Sequence, residues 1–178
     1  MTKRKIFILI GIIIIAAIVY NVHDNYIRSI MPGGMSVSKG RFAPKHIKSD
    51  DITKFYYIRE DSFKLKAEVT NEKVHIVINT GDLSGGMSME TVADYESDDL
   101  TILSELQKII RDNEIYKSNG YKKYVNGLPY GYGEQISVEY KTGEKINISS
   151  NDSKIFSEEV SEEFFNVFEK HMKDNNIE

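Results

Sequence analysis

Four histidines, His23, His46, His75 and His171, are the side chains whose ordinary titration lies nearest neutrality, and no two of them stand four residues apart. H-E-x-x-H is absent, so a zinc hydrolase would lack its ligand pair unless the fold brought His75 and His171 together. In the acidic run DYESDD, Asp94, Glu96, Asp98 and Glu105 match positions 1, 3, 5 and 12 of a calcium loop. Position 6 is Asp99 where that loop turns on glycine, so the run reads as the start of a helix. Glu158, Glu159, Glu162 and Glu163 could pair for acid and base work, but four acids in the first turns of an amphipathic helix describe its solvated face. No G-x-S-x-G elbow activates a serine, and neither GYGEQ nor GDLSGG has the spacing of a phosphate loop. The sequence therefore assigns no catalytic residue, no metal ligand and no cofactor.

One stretch stands out as a binding candidate. YKSNGYKKYVNGLPYGYGE, residues 116–134, carries five tyrosines and three lysines. Tyr121, Lys122, Lys123, Tyr124, Tyr130 and Tyr132 combine large amphipathic rings with a local basic spot, which suits recognition of a protein or a glycan. The competing reading makes the stretch a connector, with Asn119-Gly120, Asn126-Gly127 and Pro129 as turn formers and the rings closing the core edge.

The flanking elements are legible from periodicity. KFYYIRE has strand composition, FKLKAEVT alternates with Phe63, Leu65, Ala67 and Val69 on one face, and KVHIVIN follows after Asn71-Glu72 as an antiparallel partner. TGDLSGG reads as a loop and MSMETVADY as a further strand. Leu100, Leu103, Leu106 and Ile110 mark a helix that opens at Asp98-Asp99 and runs to Asn113. EQISVEY and KINIS, joined by KTGE, form a second hairpin. Ser157 caps a final helix whose apolar stripe is Val160, Phe164, Val167, Phe168 and Met172. Strands, helix, strands, helix predict an α+β domain over residues 54–174, with an antiparallel sheet of five to six strands and two helices.

Before that domain comes MTKRK and then residues 6–22, seventeen in a row without a charged side chain. As a helix they span roughly 25 Å, close to a hydrocarbon core. Lys3, Arg4 and Lys5 precede the run, which predicts a single-pass signal-anchor with residues 1–5 in the cytoplasm and the rest outside. The alternative is a cleaved signal peptide, but Ala16-Ala17 leads into Ile18-Val19-Tyr20 without an A-x-A site. Residues 23–53, with Pro32-Gly33-Gly34, Gly40 and Pro44, read as a stalk or loosely packed arm, in which residues 35–42 could add an edge strand. The chain has no cysteine, so neither a disulfide nor a lipid-modified cysteine secures the exported part. From residue 54 onward there are 24 acidic and 15 basic residues, a balance that argues against nucleic acid as partner.

The order Ile115-Tyr116, Asn119-Gly120-Tyr121, Asn126-Gly127, Ser137-Val138-Glu139-Tyr140, Gly143 and Ile146, then a serine-rich turn and a final Phe-containing helix, resembles small exported domains of clostridia and related Firmicutes. The likeness covers residues 100–172. It implies an extracytoplasmic, membrane-anchored or lipoprotein-type domain and carries over no catalytic residue; this chain departs from the pattern in lacking the lipobox cysteine. Three function classes follow: a non-catalytic domain binding an envelope protein or polymer, an envelope hydrolase using the acids of the final helix or His75, and a structural or immunity-type membrane protein whose anchor makes the contact.

Overall fold

The computed structural model describes residues 3–81, 88–128 and 133–177. Helix α1, Lys3–Ile30, is longer than the apolar run that starts it, because residues 23–30 continue the helix in more polar sequence. Its window Ile10–Ile27 has a mean hydropathy of 1.5 and none of it is buried. Among the described residues one helix is thus long and apolar enough to cross a membrane, a property shared by an anchor and a signal sequence.

The chain forms two compact bodies. In the smaller, Met1–Ser36 with Val125–Gly127, the chain leaving α1 is tied down by Asn126. The Asn126 amide donates to the Ile30 carbonyl at 2.5 Å, and two backbone bonds join Asn126 to Gly33 and Gly34. A helix end leaves carbonyls without partners, and this side chain supplies one.

The larger body, Val37–Tyr124 with Leu128–Glu178, holds the core. Its strands are β1 (Met35–Lys39, which begins in the smaller body), β2 (Ile52–Arg59), β3 (Phe63–Thr70), β4 (Lys73–Thr80), β5 (Glu90–Ser97), β6 (Tyr121–Val125), β7 (Glu134–Tyr140) and β8 (Lys145–Ser150). They form one sheet in the order β1-β6-β8-β7-β2-β3-β4-β5. The expected five to six strands are therefore too few, since β1 and β6 join the sheet. A purely antiparallel sheet is also incorrect, because β6 runs parallel to β8, pairing Lys122 with Ser149 and Lys123 with Ser150. The helix class stands: α2 (Thr101–Asp112) and α3 (Glu158–Asp174) are the two domain helices, and α1 precedes them.

Alternation decides which face is covered. Phe55, Tyr57, Leu65, Ala67, Ile76, Ile78, Ile136 and Val138 point to the helix side and are buried. There Phe55 lies 5.2 Å from Phe164 and 6.0 Å from Phe168, ring centre to ring centre, so α3 packs on the middle of the sheet. The opposite face carries the alternate residues, such as Lys54, Tyr56, Lys64 and Lys66, and meets solvent, as an antiparallel sheet can. The centre of the sheet joins segments far apart in sequence, since β2 pairs with β7 from Ile52↔Tyr140 to Arg59↔Glu134. The loop expected at TGDLSGG falls largely outside the described residues.

Candidate functional site

The tyrosine-rich stretch is built from a 3₁₀ turn, Ile115–Ser118, then Asn119-Gly120, then β6. Asn119 is buried, and its side chain makes three bonds at once. Its amide donates to the Pro44 and Lys145 carbonyls at 2.9 and 2.8 Å, and its oxygen accepts from the Asn147 amide at 2.9 Å. Gly120 has φ +79°, and a Cβ there would lie 2.6 Å from the Ala43 Cβ. Asn119-Gly120 is thus a clasp between β8 and the segment around residues 40–44.

From Gly120 the strand alternates. Tyr121 is half-buried against the core and lines a hollow of about 240 Å³ with Ser118, Ser153, Lys154 and Ile155. Lys123, on the same face, bonds Asp152 at 2.6 Å, and that hydrogen bond raises the lysine above its ordinary value. Lys122 and Tyr124 alternate to the other face and are exposed, Tyr124 by 53 %. Tyr116 packs against the core and sits 6.3 Å from the His46 ring. Tyr130 and Tyr132 lie outside the described residues.

The groups that could do acid and base chemistry are dispersed. His75 projects from β4 and meets Asp94 of β5 at 2.6 Å. His171, on α3, is 2 % exposed and belongs to the helix layer, with Asp99 and Glu105 carboxylates at 3.8 and 3.6 Å. The two histidines are not brought together. Glu158 bonds the Arg59 guanidinium at 2.5 Å, and Glu163 accepts from Asn113 at 3.0 Å. Of the calcium-spaced acids, Asp94 faces His75, Asp98 pairs with Lys73, and Glu105 is on α2. Asp99 accepts the Thr101 amide at 2.9 Å, opening α2, and that bond holds its carboxyl below the usual range. Among the described residues no three His, Asp or Glu side chains gather as a metal site.

Sequence reasoning missed two constellations. In the first, Glu134 is 1 % exposed and accepts four hydrogen bonds, from the Tyr57 and Ser161 hydroxyls and from the Ile155 and Phe156 amides. Arg59, 2 % exposed, lies beside it and reaches outward to Asp61 and Glu158. Burial, and then the Glu134 carboxylate, push the Tyr57 phenol far above its ordinary value. The signal was available: Glu134 is in phase with Ile136, Val138 and Tyr140, and Arg59 with Phe55 and Tyr57, so period-two alternation sends both inward. The second lies along α2. Tyr140 donates to Gln107 at 2.9 Å, Gln107 to Asp50 at 3.3 Å, and Arg111 pairs with Asp50. Asp50, Gln107 and Arg111 line a hollow of about 290 Å³, next to a more apolar one of about 510 Å³ that includes Ile52, Val69, Leu100 and Leu103. No local pattern announces it, because Asp50 comes from the arm and reaches the helix only through the fold.

Comparison with known proteins gives no match: no family model, no curated protein and no solved structure is similar enough to the chain to count as one.

Proposed function

We propose that this chain is a membrane-anchored, extracytoplasmic binding domain that captures an envelope protein or polymer without catalysis. Residues 1–5 stay in the cytoplasm, α1 is an uncleaved signal-anchor, and the α+β domain works outside. The observation that carries the binding role is the pair Lys122 and Tyr124, an exposed cation and a 53 % exposed ring on the uncovered face of β6. A ring fixed on a strand loses little entropy on contact, and the neighbouring ammonium adds polar recognition. The hollow beside Tyr121 lies on the other face of the strand and is a second, separate part of the candidate, to which the sequence adds Tyr130 and Tyr132. The non-catalytic reading draws support from the polar side chains themselves, since Glu134, Arg59, Ser161 and Glu158 are engaged in bonds that fasten α3 to the sheet.

Sedimentation of the full chain with purified cell-wall polymer, alongside photo-crosslinking from position 124 in cells, tests the proposal. The wild type is expected to sediment or to give one discrete adduct. Lys122→Ala with Tyr124→Ala should weaken that capture at least about fivefold at an unchanged melting temperature. Capture that survives the double substitution removes β6 from the binding surface.

A further inference from the structure

Phe42 is 97 % exposed, although the turn that carries it is held firmly. Gly40 and Ala43 close the turn with a 3.0 Å backbone bond, and Gly40 has φ +58°. A Cβ on Gly40 would lie 2.5 Å from the Gly120 backbone, so the turn is seated against Gly120 at the closest approach two chains can make. Asn119 fixes the far side through the Pro44 carbonyl at 2.9 Å, and Lys45 donates back to the Asn119 carbonyl. A clamped turn that lifts a bare aromatic ring into solvent is a presented group, not a slack loop.

Its surroundings say what the ring meets. Lys39 and Arg41 flank it and are exposed, and Lys48 follows. No acid occurs between Asp24 and Asp50, whereas acids outnumber bases 24 to 15 from residue 54 onward. An anionic surface thus attracts this turn and repels the remainder of the domain. Chain length keeps such a surface close. Phe42 is twelve residues beyond Ile30, the end of α1, and residues 23–30 add about 12 Å of helix beyond the apolar run, so even a fully extended chain holds the turn within roughly 55 Å of the span. The geometry points to the Gly40–Ala43 turn as a second membrane contact, with Phe42 inserting among acyl chains and Lys39 and Arg41 meeting anionic lipid headgroups. An apolar ring framed by cations is the composition of interfacial anchors, and one such contact is reversible on its own but strong beside a covalent tether. This inference rests on α1 being a membrane span.

The chain has no tryptophan, so Phe42→Trp creates its single indole, excited apart from the tyrosines at about 295 nm or longer wavelength, at an exposed position where the fold is indifferent to it. The full-length variant is reconstituted into vesicles of phosphatidylcholine, with and without phosphatidylglycerol, carrying brominated acyl chains. In anionic vesicles the emission should shift to the blue and be quenched about twofold or more by the bromolipid, and adding Lys39→Glu and Arg41→Glu should abolish both changes. Emission typical of water in both vesicle types overturns the proposal. So does a blue shift without bromolipid quenching, which would place the ring against protein, such as a second copy. Tyr20→Trp in α1 separates the two readings: quenched there but not at position 42, the anchor stands and the turn contact fails; unquenched at both, the anchor reading fails and takes the turn contact with it.

Discussion

Glu134 shows what a single inward-facing carboxylate does for this fold. One oxygen accepts the Ile155 and Phe156 amides and the other the Tyr57 and Ser161 hydroxyls, so a loop, a strand and a helix converge on one side chain. Removing it leaves the partly buried Ile155 and Phe156 amides without their acceptor, at about 1–3 kcal/mol each, and opens a cavity, whereas the Tyr57 hydroxyl keeps Ser161 and the Ser161 hydroxyl keeps the Ser157 carbonyl. Glu134→Ala should therefore destabilise the domain by about 3–5 kcal/mol. Glu134→Gln keeps one oxygen for the two amides while the hydroxyls turn to accept from its NH₂, for a loss of about 1 kcal/mol. Urea titrations of the two variants should differ accordingly, and an alanine variant as stable as the glutamine one would remove the carboxylate from this role. Whether a residue faces inward was legible here, since alternation places Glu134 with Ile136 and Val138. Its partners were not, because Ser161 and Tyr57 are 27 and 77 positions away and only the fold gathers them.

At the scale of elements, the strands written in alternation are those the sequence discloses: β3 and β4 pair from Phe63↔Thr80 to Thr70↔Lys73 as their periodicity requires. Helix α3 was equally plain, from Ser157, whose hydroxyl accepts the Val160 amide at 3.4 Å, to a stripe of phenylalanines. Strand β6 was not, since a parallel pairing with β8 reaches past β7 and leaves no hairpin signal between neighbours. The turn between β3 and β4 also departs from what its residues favour. Asn71 and Glu72 have φ +52° and +67°, and a turn of this hand prefers glycine at the second position. Glu72→Gly should relieve that strain and, after the entropy glycine adds to the unfolded chain, stabilise by about 0.5–1 kcal/mol. A rise of a few degrees in melting temperature is the expected reading; a fall would mean that Glu72 makes a contact worth more than its backbone strain.

For the molecule as a whole, the ionisable groups set limits on both sides of neutrality. Hydrogen bonding to Lys66 holds Glu68 low; Asp61 and Asp152 are pushed up by burial but brought below the usual range by bonds from Lys154 and Lys123. A carboxyl depressed by folding stabilises the native state above its ordinary value, 3.8 for Asp and 4.5 for Glu, and that contribution disappears as pH falls through the native value. On the alkaline side, burial and the Asp174 carboxylate push Tyr95 up to about 12, and burial raises Tyr57 and Tyr140 further. These phenols stabilise the fold below their ordinary value of 10.0 and cease to do so as pH rises beyond it. Melting temperatures recorded against pH should decline below about 4 and again above about 10, and a level profile through either limit would contradict these assignments. The pairing of β2 with β7 sets a different limit, one of timing. A chain made from its N-terminus exposes the bare edge of Ile52–Arg59 until Glu134–Tyr140 has followed it, some eighty residues later, so the unfinished domain waits as an open four-stranded sheet. Whatever guards it during those seconds must recognise a strand edge.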